Sequence, residues 1–187
     1  MTDDREAAGL NGAEDEGGEL CRDIRMELPD DLWRLGYVER YFAGRANKDF
    51  AAMDDGRRFL FGVVEVPLLE EGGSFTWGVW VEVAPQDHDA YAAAFQTPAA
   101  EGLAFAGRLA NDMPCHENSL GAPVEVRCHA DRRPEVIVSL DTALGRDAAS
   151  GITLAEHEAW EEILFGGEDE EDEDWAGGEG EEALPQA

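Results

Sequence analysis

Basic residues are scarce in this chain. Fourteen lysines and arginines stand against 43 aspartates and glutamates over 187 residues, a formal charge of −29. A charge of that size and sign repels nucleic acid and anionic membrane surfaces at long range. Arg57-Arg58 and Arg132-Arg133 are isolated pairs rather than a basic stripe, so nothing local overrules the repulsion. DNA or RNA binding is disfavoured and a basic protein partner is allowed. Lysine is rarer still: Lys48 stands alone among arginines, which with abundant Ala and Gly reflects coding composition. Three cysteines, Cys21, Cys115 and Cys128, are too few and too scattered for a disulfide framework. The opening MTDDREAAGLNG has neither a basic n-region nor an apolar h-region, so no secretory signal is expected. No apolar run approaches bilayer length. These absences together imply a cytoplasmic protein with reduced thiols and no membrane contact. Also missing are a GxSxG elbow, a phosphate loop, a dinucleotide fingerprint and an HExxH pair, so no cofactor is expected.

What is present is acid, concentrated at the ends. Residues 1–30 carry ten acids and three bases, and residues 166–187 carry ten acids and no base around Trp175. Between them, residues 31–165 have 23 acids against 11 bases. Acid-rich, Gly-rich runs cannot bury enough apolar surface to offset the entropy of ordering them. The expected organisation is therefore a disordered segment over 1–19, a single domain over 20–165 and a disordered acidic tail over 166–187.

Within the domain, Pro29-Asp30-Asp31 supplies helix-start chemistry for DDLWRLGYVERYF, with Gly44 as the stop. FLFGVVEVPL and FTWGVWVEV, joined by the turn-like LEEGGS, read as an antiparallel hairpin. Phe75, Trp77, Val79, Val81 and Val83 share one face at period two and should be core. Trp80 on the opposite face implies cover there too. Residues 87–96 read as a short helix, with Tyr91 and Phe95 one turn apart. GLAFAGRLANDMP is compatible with strand, loop or helix. Residues 124–129 and 135–140 read as two further strands around an ADRRP turn. Thr153 and Glu156 form a capping box for TLAEHEAWEEILF, whose Leu154, Trp160, Ile163 and Leu164 should dock on the sheet. This order predicts an α+β domain with a mainly antiparallel sheet and flanking helices.

Cys115-His116 and Cys128-His129 carry zinc-ligand side-chain types. Adjacent residues in extended chain point to opposite faces, however, so each pair gives one ligand more easily than two. No metal is expected, and buried thiols beside semi-exposed imidazoles are the reading adopted. His88 and His157 lie near helix starts, where a surface position is the ordinary one. The irregular GRLANDMPCHEN, carried on a scaffold, offers the best place for a pocket, one lined by Trp80, Arg108, Cys115 and His116. Arg132 and Arg133 could recognise an acidic group, and Trp175 could anchor a partner.

RRFLFGVVEVPL, FTWGVWVEV, GRLANDMP, RRPEVIVSL and GITLAE occur in an order and spacing that resemble a bacterial family known as domain of unknown function 2199. The resemblance spans about Leu28 to Ile163. It implies no activity. Members often carry an amino-terminal Cys-x-x-Cys, where this chain has only Cys21, and a Thr-Asp-His-Pro stretch where it has DTALGRDAAS. The function expected is a non-catalytic module whose acidic tails attract a basic protein. The alternatives are an enzyme using the Arg108–His116 pocket, or tails that serve solubility alone.

Overall fold

A computed structural model describes residues 20–166. One sheet of eight strands runs through it in the spatial order β1-β5-β6-β7-β8-β4-β3-β2, with β4 also paired to β5. The strands are β1 (Asp23–Arg25), β2 (Gly44–Ala46), β3 (Phe50–Met53), β4 (Arg58–Pro67), β5 (Ser74–Val83), β6 (Ala104–Leu109), β7 (Pro123–Arg127) and β8 (Glu135–Val138). Five of them, β4 to β8, close into a barrel. Strand orientation is mixed: β1 lies parallel to β5, and β8 closes the barrel parallel to β4, whereas the pairs between consecutive strands from β2 to β8 are antiparallel. The fold class is α+β with a barrel core.

The long hairpin β4–β5 forms where its β-branched and aromatic runs place it, in register from Arg58↔Val83 to Pro67↔Ser74. Phe75, Trp77, Val79, Val81 and Val83 point into the barrel and are no more than 5% exposed. Trp80 faces outward and is equally buried, because Leu32, Ala51, Phe59, Phe61 and Ala110 form a second small core over that wall. Closure is narrow. Val63 donates its N–H to the Pro134 carbonyl at 2.8 Å, and glycine is required beside it: a Cβ on Gly62 would lie 2.5 Å from Val136 Cγ2.

The helices depart from the sequence reading in three places. DDLWRLGYVERYF is two helices, α1 (Asp30–Trp33) and α2 (Tyr37–Ala43), because Gly36 is extended at φ −60° and ψ 159° and interrupts the turn. After α3 (Pro85–Ala94), DTALGRDAAS forms α4 (Ala143–Ser150), capped by the Thr142 hydroxyl accepting the Gly145 N–H at 3.0 Å. Its interior Gly145 hides it in the sequence, yet a Cβ there would stand 2.0 Å from the Ser139 carbonyl oxygen. Last, α5 (Leu154–Phe165) begins at the expected capping box, with the Thr153 N–H donating to Glu156 Oε2 at 2.8 Å. Its docking stripe is His157 and Trp160, both buried, while Leu154 and Ile163 are exposed. His157 is thus no surface residue. Its Nδ1 lies 2.8 Å from Glu71 Oε2 and its Nε2 lies 2.7 Å from the Cys21 carbonyl, so it ties α5 to the β4–β5 turn and to the approach to β1.

Among the described residues no helix is long and apolar enough to cross a membrane. Trp175 and both acidic ends lie outside the described residues.

Candidate functional site

The structure separates the described residues singled out above, and adds a place that the sequence reading did not name. The first place is the loop after β6. Asn111 is buried there, accepting the Trp80 N–H at 2.8 Å and donating to the Leu28 carbonyl at 2.9 Å and to Asp30 Oδ1 at 3.0 Å. Ser119 Oγ accepts the Met113 N–H at 2.6 Å. His116 is 3% exposed, edge-on to Trp160 at 4.9 Å and to Trp77 at 6.3 Å, with Nε2 3.0 Å from Asp147 Oδ2. Burial pushes its imidazole below the usual histidine range, against the opposing pull of Asp147. Burial likewise pushes the Cys115 thiol up to about 11, and Cys128 up to about 11. A thiol so placed is almost wholly protonated at neutral pH and is a poor nucleophile or metal ligand.

Arg108 belongs elsewhere. It sits on the exposed face of β6 opposite Glu82, along an open groove of about 560 Å³ that also touches Asp55 and Arg57. His116 packs against Trp77, on the inward face of the neighbouring strand. Trp80 is fully enclosed, its Nε1 donating to the Met26 carbonyl at 3.0 Å. These four side chains therefore do not line one pocket. Among the described residues no three His, Cys, Asp or Glu side chains come together as a metal-ligand set.

The second place is a cleft of about 430 Å³ between the β2–β3 loop, the end of α3 and the β7–β8 loop. Arg132 and Arg133 line it, and the fold adds Lys48 from far away in sequence. Arg133 lies over the Phe61 ring, 4.7 Å from its centroid, and its Nε reaches Asp49 Oδ1 at 3.4 Å. Arg25 lies at the same 4.7 Å from that ring and donates to the Lys48 carbonyl at 3.1 Å. Arg132 Nη2 is 3.2 Å from His129 Nε2, and His129 Nδ1 lies 3.6 Å from Glu101. Tyr91 forms the floor. Its burial raises its phenol to about 12, so the hydroxyl is a donor at any physiological pH.

The third place was not singled out in the sequence. On α1 and α2, Trp33, Tyr37, Val38, Tyr41 and Phe42 are 55%, 87%, 65%, 78% and 70% exposed, and α2 buries none of its residues. At about 200 Å² per aromatic side chain, the four rings leave roughly 600 Å² of aromatic surface in water, with Tyr41 edge-on to Phe42 at 5.3 Å. That area equals the largest patch on an ordinary monomer and approaches one side of a standard interface. The surface is fixed in place. Arg40 donates to the Leu32, Trp33 and Leu35 carbonyls at 2.9–3.2 Å and lies 5.3 Å over the Trp33 ring. Asp30 accepts from Asn111 and from the Asp112 N–H at 3.1 Å, pinning α1 to the loop after β6. Beside Trp33 opens a cleft of about 410 Å³ that carries Glu27, Asp30 and Asp112 against Arg25 and Arg34. Arg34 is itself paired with Asp30 at 3.2 Å, and Arg25 is engaged on Phe61. The sequence signal was there in the crowding of aromatics in YVERYF, but spacing alone does not say which helical face stays exposed.

A family model described as an uncharacterized protein conserved in bacteria (DUF2199) matches residues 14–152. No curated protein and no solved structure matches the chain.

Proposed function

The chain belongs to this uncharacterised bacterial family, and from that premise we propose that it is a non-catalytic protein-binding module whose docking surface is the aromatic face of α1 and α2. The observation that carries the reading is the exposure of four aromatic rings and Val38 on one rigidly held helical pair. Burying such rings supplies the desolvated anchors from which interfaces draw most of their affinity. Charge selects the partner. With 43 acids against 14 bases, the chain attracts a protein bearing a basic surface. The carboxylates of Glu27 and Asp112 in the cleft beside Trp33 offer its lysines or arginines a seat next to the apolar anchor. The acidic ends extend that attraction and raise the association rate, and Trp175 adds a second apolar contact.

The test compares the full chain with a Tyr37→Ser/Tyr41→Ser/Phe42→Ser variant as bait in lysate of the native host. Partners are identified by mass spectrometry and recovered over a salt series. All three rings are exposed, so the variant should fold with an unchanged Tm. The proposal expects one or a few proteins of high isoelectric point that the variant loses and that salt weakens. Equal recovery by bait and variant, or recovery of a second copy of the chain alone, would contradict it. Deleting residues 166–187 should weaken capture in low salt without abolishing it; unchanged capture would mean that this tail serves solubility.

A further inference from the structure

We propose that the cleft between Lys48, Arg132 and Arg133 is a binding site for a small molecule bearing a phosphate monoester, separate from the protein-docking surface. Most of the polar groups facing this space can donate hydrogen bonds. Lys48, Arg132, Arg133 and Gln96 line its walls and Tyr91 its floor. Tyr91 is 1% exposed and lines the cleft. Two carboxylates, Asp49 and Asp131, share the lining with these cations. Asp49 is committed to Arg133, while Glu101 and Glu135 lie 3.6 and 3.9 Å from the His129 ring. Among the lining residues three cations, Lys48, Arg132 and Arg133, meet two carboxylates, an excess of one positive charge. This local excess of positive charge lies in a chain of net charge −29.

The chemistry of the occupant follows from charge, shape and size. A carboxylate is filled by one arginine fork, whereas a phosphoryl dianion offers three oxygens and accepts from several cationic donors at once. A polyanion such as nucleic acid would extend beyond one Debye length, about 8 Å at physiological salt, into the negative field of the rest of the protein. A small anion would not. The volume of about 430 Å³ suits a metabolite-sized ligand. Phe95 flanks the donors and gives an organic body something apolar to rest on.

A second observation points the same way. Gln96 holds φ at 57°, the left-handed region, at the third position of a turn in which the Thr97 N–H donates to the Ala94 carbonyl at 3.0 Å. Phe95 before it, at φ −53° and ψ 129°, makes this a type II turn, where glycine is the ordinary occupant. The chain instead keeps a long amide at the rim of the cleft, in a conformation that disfavours it.

Isothermal titration of the full chain with inorganic phosphate, phenyl phosphate, acetate and a synthetic peptide of residues 166–182 tests the proposal. Wild-type protein should bind phenyl phosphate saturably and more tightly than inorganic phosphate, with acetate much weaker and affinity falling as salt rises. Lys48→Gln and Arg132→Gln, both exposed and outside either core, should each weaken phenyl phosphate at least tenfold with Tm unchanged. Gln96→Gly should raise the Tm and weaken binding, opposite signs that a purely structural residue would not give. Phenyl phosphate binding weaker than about 10 mM, or unchanged in both charge variants, would overturn the proposal. So would tighter binding of the acidic peptide, which would make the cleft a seat for the chain's own acidic tail.

Discussion

Replacing Gly62 by alanine probes the point at which the barrel closes and from which the phosphate cleft hangs. The added methyl would lie 2.5 Å from Val136 Cγ2 and 2.9 Å from the Pro134 carbonyl oxygen, both far inside ordinary contact. The valine has little rotamer freedom in a strand, and the carbonyl is held by the Val63 N–H at 2.8 Å, so β8 must move away. Overpacking of this kind costs about 1–3 kcal/mol. Alanine recovers about 0.5–1 kcal/mol through the smaller backbone entropy it loses on folding. The net expectation is a loss centred on about 1 kcal/mol and no larger than about 2.5 kcal/mol, read as a lower urea midpoint at constant slope. Val136→Ala removes the methyl that clashes. The double variant should therefore be more stable than the sum of the single losses implies, by at least about 0.5 kcal/mol. Because Arg132 and Arg133 immediately precede Pro134, displacement of β8 should also weaken phenyl phosphate binding by Gly62→Ala. A wild-type midpoint in Gly62→Ala, or additive losses in the double variant, would refute the account of closure.

His116 makes stability sensitive to mild acid. Its imidazole is lowered by burial in the folded chain, so the unfolded chain takes up the proton first as pH falls. Its contribution is full above about pH 6.5 and is lost progressively below it, down to the folded-state value. His116→Gln retains a donor toward Asp147, and its urea midpoint should fall less between neutral and mildly acidic pH than that of wild type; an equal fall would contradict the assignment. The raised thiols predict that Cys115 and Cys128 react with iodoacetamide only slowly at pH 8 in folded protein and readily in denaturant. Rapid native labelling of Cys115 would restore it as a candidate nucleophile.

The β4–β5 hairpin was legible in the sequence, where periodicity is strong; the closure of a mixed sheet into a barrel, in place of the mainly antiparallel sheet expected, was not. The Phe75–Val83 alternation is buried on one side as its period demands, and Trp80 correctly implied a covered outer wall. What remained hidden has local causes. Gly145 and Gly36 obscured helix boundaries: the first is imposed by a carbonyl 2.0 Å from where its Cβ would be, the second splits one expected helix in two. Strands β1, β2 and β3 are three or four residues long, too short to show a period, and β1 forms only by pairing with β5. His157 looked like a surface residue because its acceptors, Glu71 and the Cys21 carbonyl, are more than eighty residues distant in sequence. The same holds for the sites. The Arg132-Arg133 pair was visible, but Lys48, Arg25 and Tyr91 join it only through the fold, and Arg108 and His116 are parted by the two faces of the sheet.

On the proposal made here, a basic protein docks on the α1–α2 face. Hydroxyl-radical footprinting of the full chain, alone and in complex with the partner it captures, tests this most directly. Trp33, Tyr37, Tyr41 and Phe42 should be oxidised rapidly in the free protein and protected in the complex. If those rings stay as reactive in the complex as in the free chain while protection falls elsewhere, the claim is wrong.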